Sequence, residues 1–364
     1  MRIAQVAPLF ERVPPNAYGG TERIVSYLTE GLVARGHDVT LFASGDSETA
    51  ARLVPGCERA LRGTELEPYW VHYHTCMLDE VCARSADFDL IHFHCDTLQL
   101  PLARRLATPS VTTTHGRLDI PAIAHCLRHF AGHAYVAISE DQRGSRPELA
   151  WRGTVHHGLP HDLHTAVEAP GEYLAFLGRM SAEKGCLFAV EIARRAGMNV
   201  RFAGKLDQNE RPYWGQHVLP LFERGEVEYI GEIGGAAKDR FLGGARALLF
   251  PIDWPEPFGL VMIEAMACGT PVIAFRRGAV PEVIEDGVTG FIVDDVAGAA
   301  AAVARLGELD RRTIRRRFEA RFTVDLMIDK YVTLYRELTD HGAHHARDAV
   351  RNIGGNGRRA AAPA

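Results

Sequence analysis

Short, unbroken apolar runs alternate with amphipathic stretches along almost the whole chain, and this alternation limits the fold more than any other feature. Arg2–Ala7, Val39–Ala43, Leu90–His94, Val111–Thr114, Tyr135–Ile138 and Val155–His157 read as strands, with a helix predicted over Thr21–Arg35. The runs are continuous rather than alternating, as strands covered on both faces require. Strand and helix in turn imply an α/β doubly wound parallel sheet.

The pattern then restarts. After the polar, Pro- and Gly-containing stretch His161–Glu172, strands are predicted at Tyr173–Leu177, Val200–Ala203, Val227–Ile230, Ala247–Phe250, Pro271–Phe275 and Phe291–Val293. Helices are expected at Cys186–Ala196, Ala237–Arg246, Phe258–Cys268, Val280–Ile284 and Ala297–Leu306. A chain of 364 residues exceeds what one core usually serves. The expectation is two Rossmann-like domains, 1–165 and 166–323, facing an interdomain cleft, because such sheets bind ligands beyond the carboxyl ends of their strands. Val324, Met327, Ile328, Tyr331, Leu334, Tyr335 and Leu338 form one helical stripe. A helix over 324–340 is therefore expected to pack back on the first domain, with 341–364 a disordered tail.

Composition excludes several roles. A net charge of −5 gives no support to nucleic-acid binding. No apolar stretch reaches membrane-spanning length, and the N-terminus lacks a signal-peptide pattern. Seven scattered cysteines without a C-x-x-C pair argue against a disulfide framework and structural zinc, and fit a cytoplasmic protein with reduced thiols. The histidines form no recognisable ligand set, so no metal is expected. Arg311, Arg312, Arg315, Arg316, Arg317 and Arg321 flank Ile314 and Phe318. They read either as a solvated helix face or as a peripheral contact with the inner membrane surface.

The segment EPFGLVMIEAMACGTPV, Glu256–Val272, carries the chemistry. Pro257 suits a helix's first turn, so Glu256 sits at the entrance and Glu264 about two turns inside, ~12 Å along the axis. Glycosidase carboxyl pairs lie closer, at ~5 to 9.5 Å. The intervening amides of Phe258, Gly259 and Leu260 would attract a phosphate, and Gly259 permits close backbone approach. Sugar, diphosphate and ribose have this layout, although a capping glutamate plus a surface glutamate would show the same spacing.

E-P-F-G-L-x-x-x-E, followed by GTPV and GAVPEVIEDGVTGFIV, resembles the E-x7-E signature of retaining GT-B glycosyltransferases of family 4. PPNAYGGTERIV, Pro14–Val25, resembles the glycine loop of a subgroup that includes sugar transferases of antibiotic assembly. The resemblance spans residues 1 to about 338. It implies that Glu256 contacts the donor sugar, Glu264 the ribose, and the amides of Phe258, Gly259 and Leu260 the sugar and diphosphate. Arg179 and Lys184, in GRMSAEKG, would stabilise the leaving diphosphate. Gly19 and Gly20 would lie near the donor phosphate and His115 over the donor sugar, with Tyr18, Glu22 and Asp96 on the acceptor side. His157-Gly158-Leu159-Pro160 departs from the family's Asn-Gly-Val-Asp, so no role transfers there. The implied reaction is a front-face transfer with retention, from a nucleotide-sugar substrate to an acceptor of unknown kind, without metal or cofactor. A nucleotide-sugar epimerase, a phosphorylase or an inactive sugar-nucleotide binding protein would share the scaffold.

Overall fold

The two rounds of alternation become two wholly parallel sheets in the computed structural model, which describes residues 1–169 and 171–355. The first sheet has seven strands: β1 (Arg2–Val6), β2 (Asp38–Ser44), β3 (Arg52–Cys57), β4 (Leu90–Phe93), β5 (Ser110–Thr113), β6 (Tyr135–Ala137) and β7 (Trp151–Thr154). Their order is β3-β2-β1-β4-β5-β6-β7. The second has six: β8 (Tyr173–Leu177), β9 (Asn199–Ala203), β10 (Val227–Tyr229), β11 (Ala245–Phe250), β12 (Val272–Phe275) and β13 (Gly290–Val293), in the order β10-β9-β8-β11-β12-β13. Each order reverses once, between β1 and β4 and between β8 and β11. At such points the loops leave in opposite directions and open a crevice.

The sequence pattern misses β3 and displaces β7, predicted at Val155–His157. Both are edge strands. β3 contains Pro55 and Gly56, and β7 contains Gly153. An edge tolerates such residues because one side needs no ladder partner. The helix Trp70–Ala83 also escapes the pattern, because its buried face includes His74 beside Met77, Leu78 and Val81.

The last helix, Val324–Gly355, crosses to the first sheet. Met327, Ile328, Tyr331 and Tyr335 join Ile3, Ile24 and Leu28 in one core. Its backbone continues past residue 341, where the tail was expected to begin; residues 356–364 lie outside the described residues.

The arginine cluster lies on helix Arg311–Arg321 and divides between inward and outward positions. Buried Arg311 donates to the carbonyls of Val167, Ala245 and Gly243 and to the Thr270 hydroxyl. Arg315 holds the carbonyls of His161, His164 and Ala267, and Arg321 those of Glu282 and Val283. Arg312, Arg316 and Arg317 pair with Glu168, Asp310 and Glu285. The first three side chains are thus tied inward, while the last three stay half to two-thirds exposed on the helix surface. No helix among the described residues is long and apolar enough to cross a membrane.

Candidate functional site

The loops at the two reversals meet across the interdomain cleft. There the glycine loop after β1, the turn after β8, the segment after β10 and the start of helix Leu260–Ala267 enclose a cavity of about 200 Å3. Tyr18, Gly19, Gly20, Arg179, Lys184, Glu256, Gly259, Leu260 and Glu264 all line it. Glu22 and Asp96 line the adjoining cavity, at the β1/β4 crevice.

The helix begins at Leu260, two residues later than predicted, because Gly259 takes φ +82° and caps it. A Cβ on Gly259 would stand 2.8 Å from Met262 Cε and 3.1 Å from Phe250 Cζ, so both conformation and space demand glycine. The amides of Gly259, Leu260 and Val261 have no acceptor among the described residues. They are the orphan donors of a helix start, facing the cavity. Phe258 plays a different part from its neighbours. Its ring is buried and packs on His157 and Phe322, anchoring the turn from behind. Gly278 secures the other side, since a Cβ there would overlap the backbone of Glu256.

Each glutamate of the signature has a lysine. Lys184 Nζ bonds Glu256 Oε2 and lies 4.6 Å from the Trp254 ring centre. Lys238 Nζ donates to Glu264 Oε1 at 2.8 Å. Burial raises the Glu264 carboxyl, but Lys238, with His164 and Arg23 nearby, outweighs burial and holds it below the usual carboxylate range. Arg179 bonds Glu183 and reaches Glu210 at 3.4 Å. Arg23 and Lys205 complete the lining cations. Lys238, Lys205 and Arg23 were not singled out from sequence, yet a signal existed: only four of the 41 basic residues are lysine, and three of those four line this cavity.

His115 does not line these cavities; the wall there is Thr114, Gly116 and Arg117. Its Nε2 instead meets His94 Nδ1 at 2.8 Å. A buried chain continues from His94 Nε2 to Gln5 Oε1 at 2.9 Å, and from Gln5 Nε2 to the Tyr335 hydroxyl at 3.0 Å. Tyr335 also meets His92 Nδ1 at 2.6 Å, and His92 Nε2 meets Thr113 at 2.7 Å. Burial holds His92 and His94 neutral, so each has one donor and one acceptor nitrogen. With the Gln5 amide oxygen assigned toward His94, His94 Nε2 carries the proton and His94 Nδ1 accepts from His115 Nε2–H. His115 Nδ1 is then a bare acceptor, and no partner meets it. Tyr335, on a helix from the far end of the chain, anchors the Gln5 and His92 ends of this network.

Glu140 and Asp141, at the start of the short helix after β6, lie at an interdomain clamp. Glu282 accepts the amides of Glu140 and Asp141 at 2.7 and 2.6 Å and meets His156 Nε2 at 3.1 Å. Tyr18 N–H donating to Glu232 at 3.0 Å makes a second bridge. One group among the described residues has metal-ligand character: His164, Asp239 and Cys268, with ligand atoms within 4.8 Å of one another. Asp239 Oδ1 already accepts from the Thr165 amide and contacts the other two groups, forming a hydrogen-bonded knot behind Glu264.

Two reversal crevices facing each other across buried, cation-paired glutamates define a sugar-transferase architecture, and comparison with known proteins agrees. The family description "Glycosyl transferases group 1" matches residues 165–320, and "Glycosyltransferase Family 4" matches residues 18–145. The chain belongs to the family 4 glycosyltransferases and is an enzyme of that class. It is 26% identical over 355 residues to a phosphatidyl-myo-inositol mannosyltransferase of Mycolicibacterium smegmatis, covering 88% of each chain. AviGT4, a glycosyltransferase involved in avilamycin A biosynthesis, superposes with a TM-score of 0.68 at 23% identity, over 94% of this chain and 98% of that one. Anabaena Alr3699/HepE, solved with UDP and glucose, superposes with a TM-score of 0.74 at 16% identity, over 93% of this chain and 100% of that one.

Proposed function

We propose that this enzyme moves a sugar, with retention and without a divalent metal, from a nucleoside-diphosphate sugar to an acceptor hydroxyl. The observation that carries the reading is the order of groups along one cavity. Glu256, the orphan amides of Gly259–Val261, and Glu264 follow one another, with Lys184 and Arg179 alongside. Sugar hydroxyls donate to Glu256, the diphosphate takes the amides and the cations, and ribose hydroxyls donate to Glu264. The mannosyltransferase relative and the UDP-bound neighbour support this choice of substrate class.

In the reaction the bond from the anomeric carbon to the phosphate oxygen breaks as the bond to the acceptor oxygen forms on the same face. The acceptor proton passes to the departing phosphate oxygen. Negative charge grows on the diphosphate, and Lys184, Arg179 and the fixed amides stabilise it without reorganising. The same cations supply charge that a divalent ion would otherwise bring. Incubation with UDP-, GDP- and dTDP-sugars tests the proposal. Nucleoside diphosphate should be released from one donor, undiminished by EDTA, with the product anomer matching the donor by NMR. Absence of nucleotide binding and release across the panel would refute it; an inverted product or EDTA sensitivity would refute retention or metal independence.

A further inference from the structure

The β1/β4 crevice holds a cavity of about 380 Å3 that the donor does not need. Aromatic rings form one wall: Phe10 and Trp70 lie 5.5 Å apart and His74 is 5.4 and 5.3 Å from them. Two carboxylates line the same cavity. Glu22, on the helix after the glycine loop, is only 5% exposed. Asp96, just beyond β4, is the one non-glycine residue with positive φ among the described residues, at 50°. Such strain persists where surrounding structure enforces it and clusters at functional sites.

The charges in this pocket decide what it can hold. Arg62 is its only arginine or lysine, and it pairs with Glu11 at 2.7 Å. His74 is fully engaged: Nδ1 meets the Trp70 carbonyl at 2.9 Å and Nε2 accepts the Leu9 amide at 3.1 Å. His94 is engaged by His115 and Gln5. An anionic ligand would find a single arginine already shared with Glu11, and two carboxylates against it. Burial pushes Glu22 up to about 7, with Glu11 adding to the rise and Arg62 opposing it. Burial raises Asp96 as well. Near neutral pH, Glu22 can therefore both accept and donate hydrogen bonds, which suits hydroxyl groups.

The geometry points to an acceptor that is an uncharged polyhydroxylated ring, a glycoside or cyclitol without phosphate or carboxylate, whose hydroxyls bind Glu22 and Asp96 and whose C–H face covers Trp70 and Phe10. This rests on the transfer reading above. A third cavity of about 270 Å3, lined by Asp96, Arg117, Arg179 and Trp254, shares Asp96 with this pocket and Arg179 with the donor cavity, so a hydroxyl of the ring can face the donor.

The test uses the full chain. Titration with UDP, GDP and dTDP comes first; if none binds, the transfer reading fails, independently of the acceptor class. With the matching donor sugar, nucleotide release is then compared for myo-inositol and methyl α-D-glucopyranoside against inositol 1-phosphate and glucose 6-phosphate. The neutral rings should stimulate release about tenfold more, a 1.4 kcal/mol preference. Glu22→Gln should narrow that preference toward parity, with nucleotide affinity reporting folding; Asp96→Asn serves if the first variant does not fold. Preference for the phosphorylated rings, no stimulation by any neutral ring, or an unchanged preference in the variant overturns the proposal.

Discussion

The β8/β11 crevice and the β1/β4 crevice share one architecture and are filled with opposite chemistry. At the first, each buried glutamate is matched by a lysine, and unpaired amides add positive potential. At the second, two carboxylates and aromatic rings line one cavity, and the single arginine pairs with Glu11. Both halves of the chain raise the same scaffold, so the difference lies in loops rather than in sheets. The charged crevice suits one fixed chemical problem, a departing diphosphate. The aromatic crevice suits choice among similar rings.

The largest effect that would break this comparison is at Lys184. Lys184→Ala should lower turnover about 10²- to 10³-fold, as loss of one preorganised electrostatic group does. Nucleotide release under saturating donor reads it, and unchanged turnover would remove Lys184 from the chemistry. Glu264→Ala comes next. It should weaken nucleotide affinity roughly 10- to 100-fold, because a charge-assisted hydrogen bond is lost and Lys238 is left buried without its partner. Calorimetry with the nucleoside diphosphate measures this; a variant with normal affinity and poor turnover would contradict the ribose assignment.

Tyr335→Phe sharpens the comparison from the other end of the chain. It removes the hydroxyl shared by Gln5 and His92, so stability should fall by about 1–3 kcal/mol. Turnover should fall while nucleotide affinity holds, if the His115 tautomer matters to the sugar. A loss confined to thermal stability would make the chain of bonds purely structural.

The smallest effect concerns the clamp. Burial raises the Glu282 carboxyl, but His156 and the amides of Glu140 and Asp141 hold it below the ordinary range. A depressed carboxyl contributes stability above its unfolded pKa and loses it as pH falls through the folded value. Thermal stability should therefore drop on acidification below the usual glutamate range, and less steeply in Glu282→Gln. Equal slopes would show that the clamp does not couple to protons.

Legibility differed between the crevices for a physical reason. Glu256, Gly259, Leu260 and Glu264 lie in one short segment, so their spacing could be read along the chain. Arg179 and Lys184 follow a single strand and were equally readable. Lys238 was not, because its partnership with Glu264 spans 26 positions and no local pattern records it. Trp70, His74 and Arg62 come from a connection with no repeating signature, and only folding sets them against Phe10 and Glu22. Phe258 shows the converse: the motif named it, and packing gave its ring an anchoring role behind the site.

By itself the sequence determined the two parallel sheets, through continuous apolar runs, and the signature segment, through a helix start set between two glutamates. Tertiary structure decided which cations meet which carboxylates, that His115 meets His94 in a buried network, and that six clustered arginines tie down carbonyls and carboxylates. Strand and helix patterns arise from neighbours a few residues apart. Charge pairing and tautomers depend on groups brought together from distant segments, and only the folded chain fixes those distances.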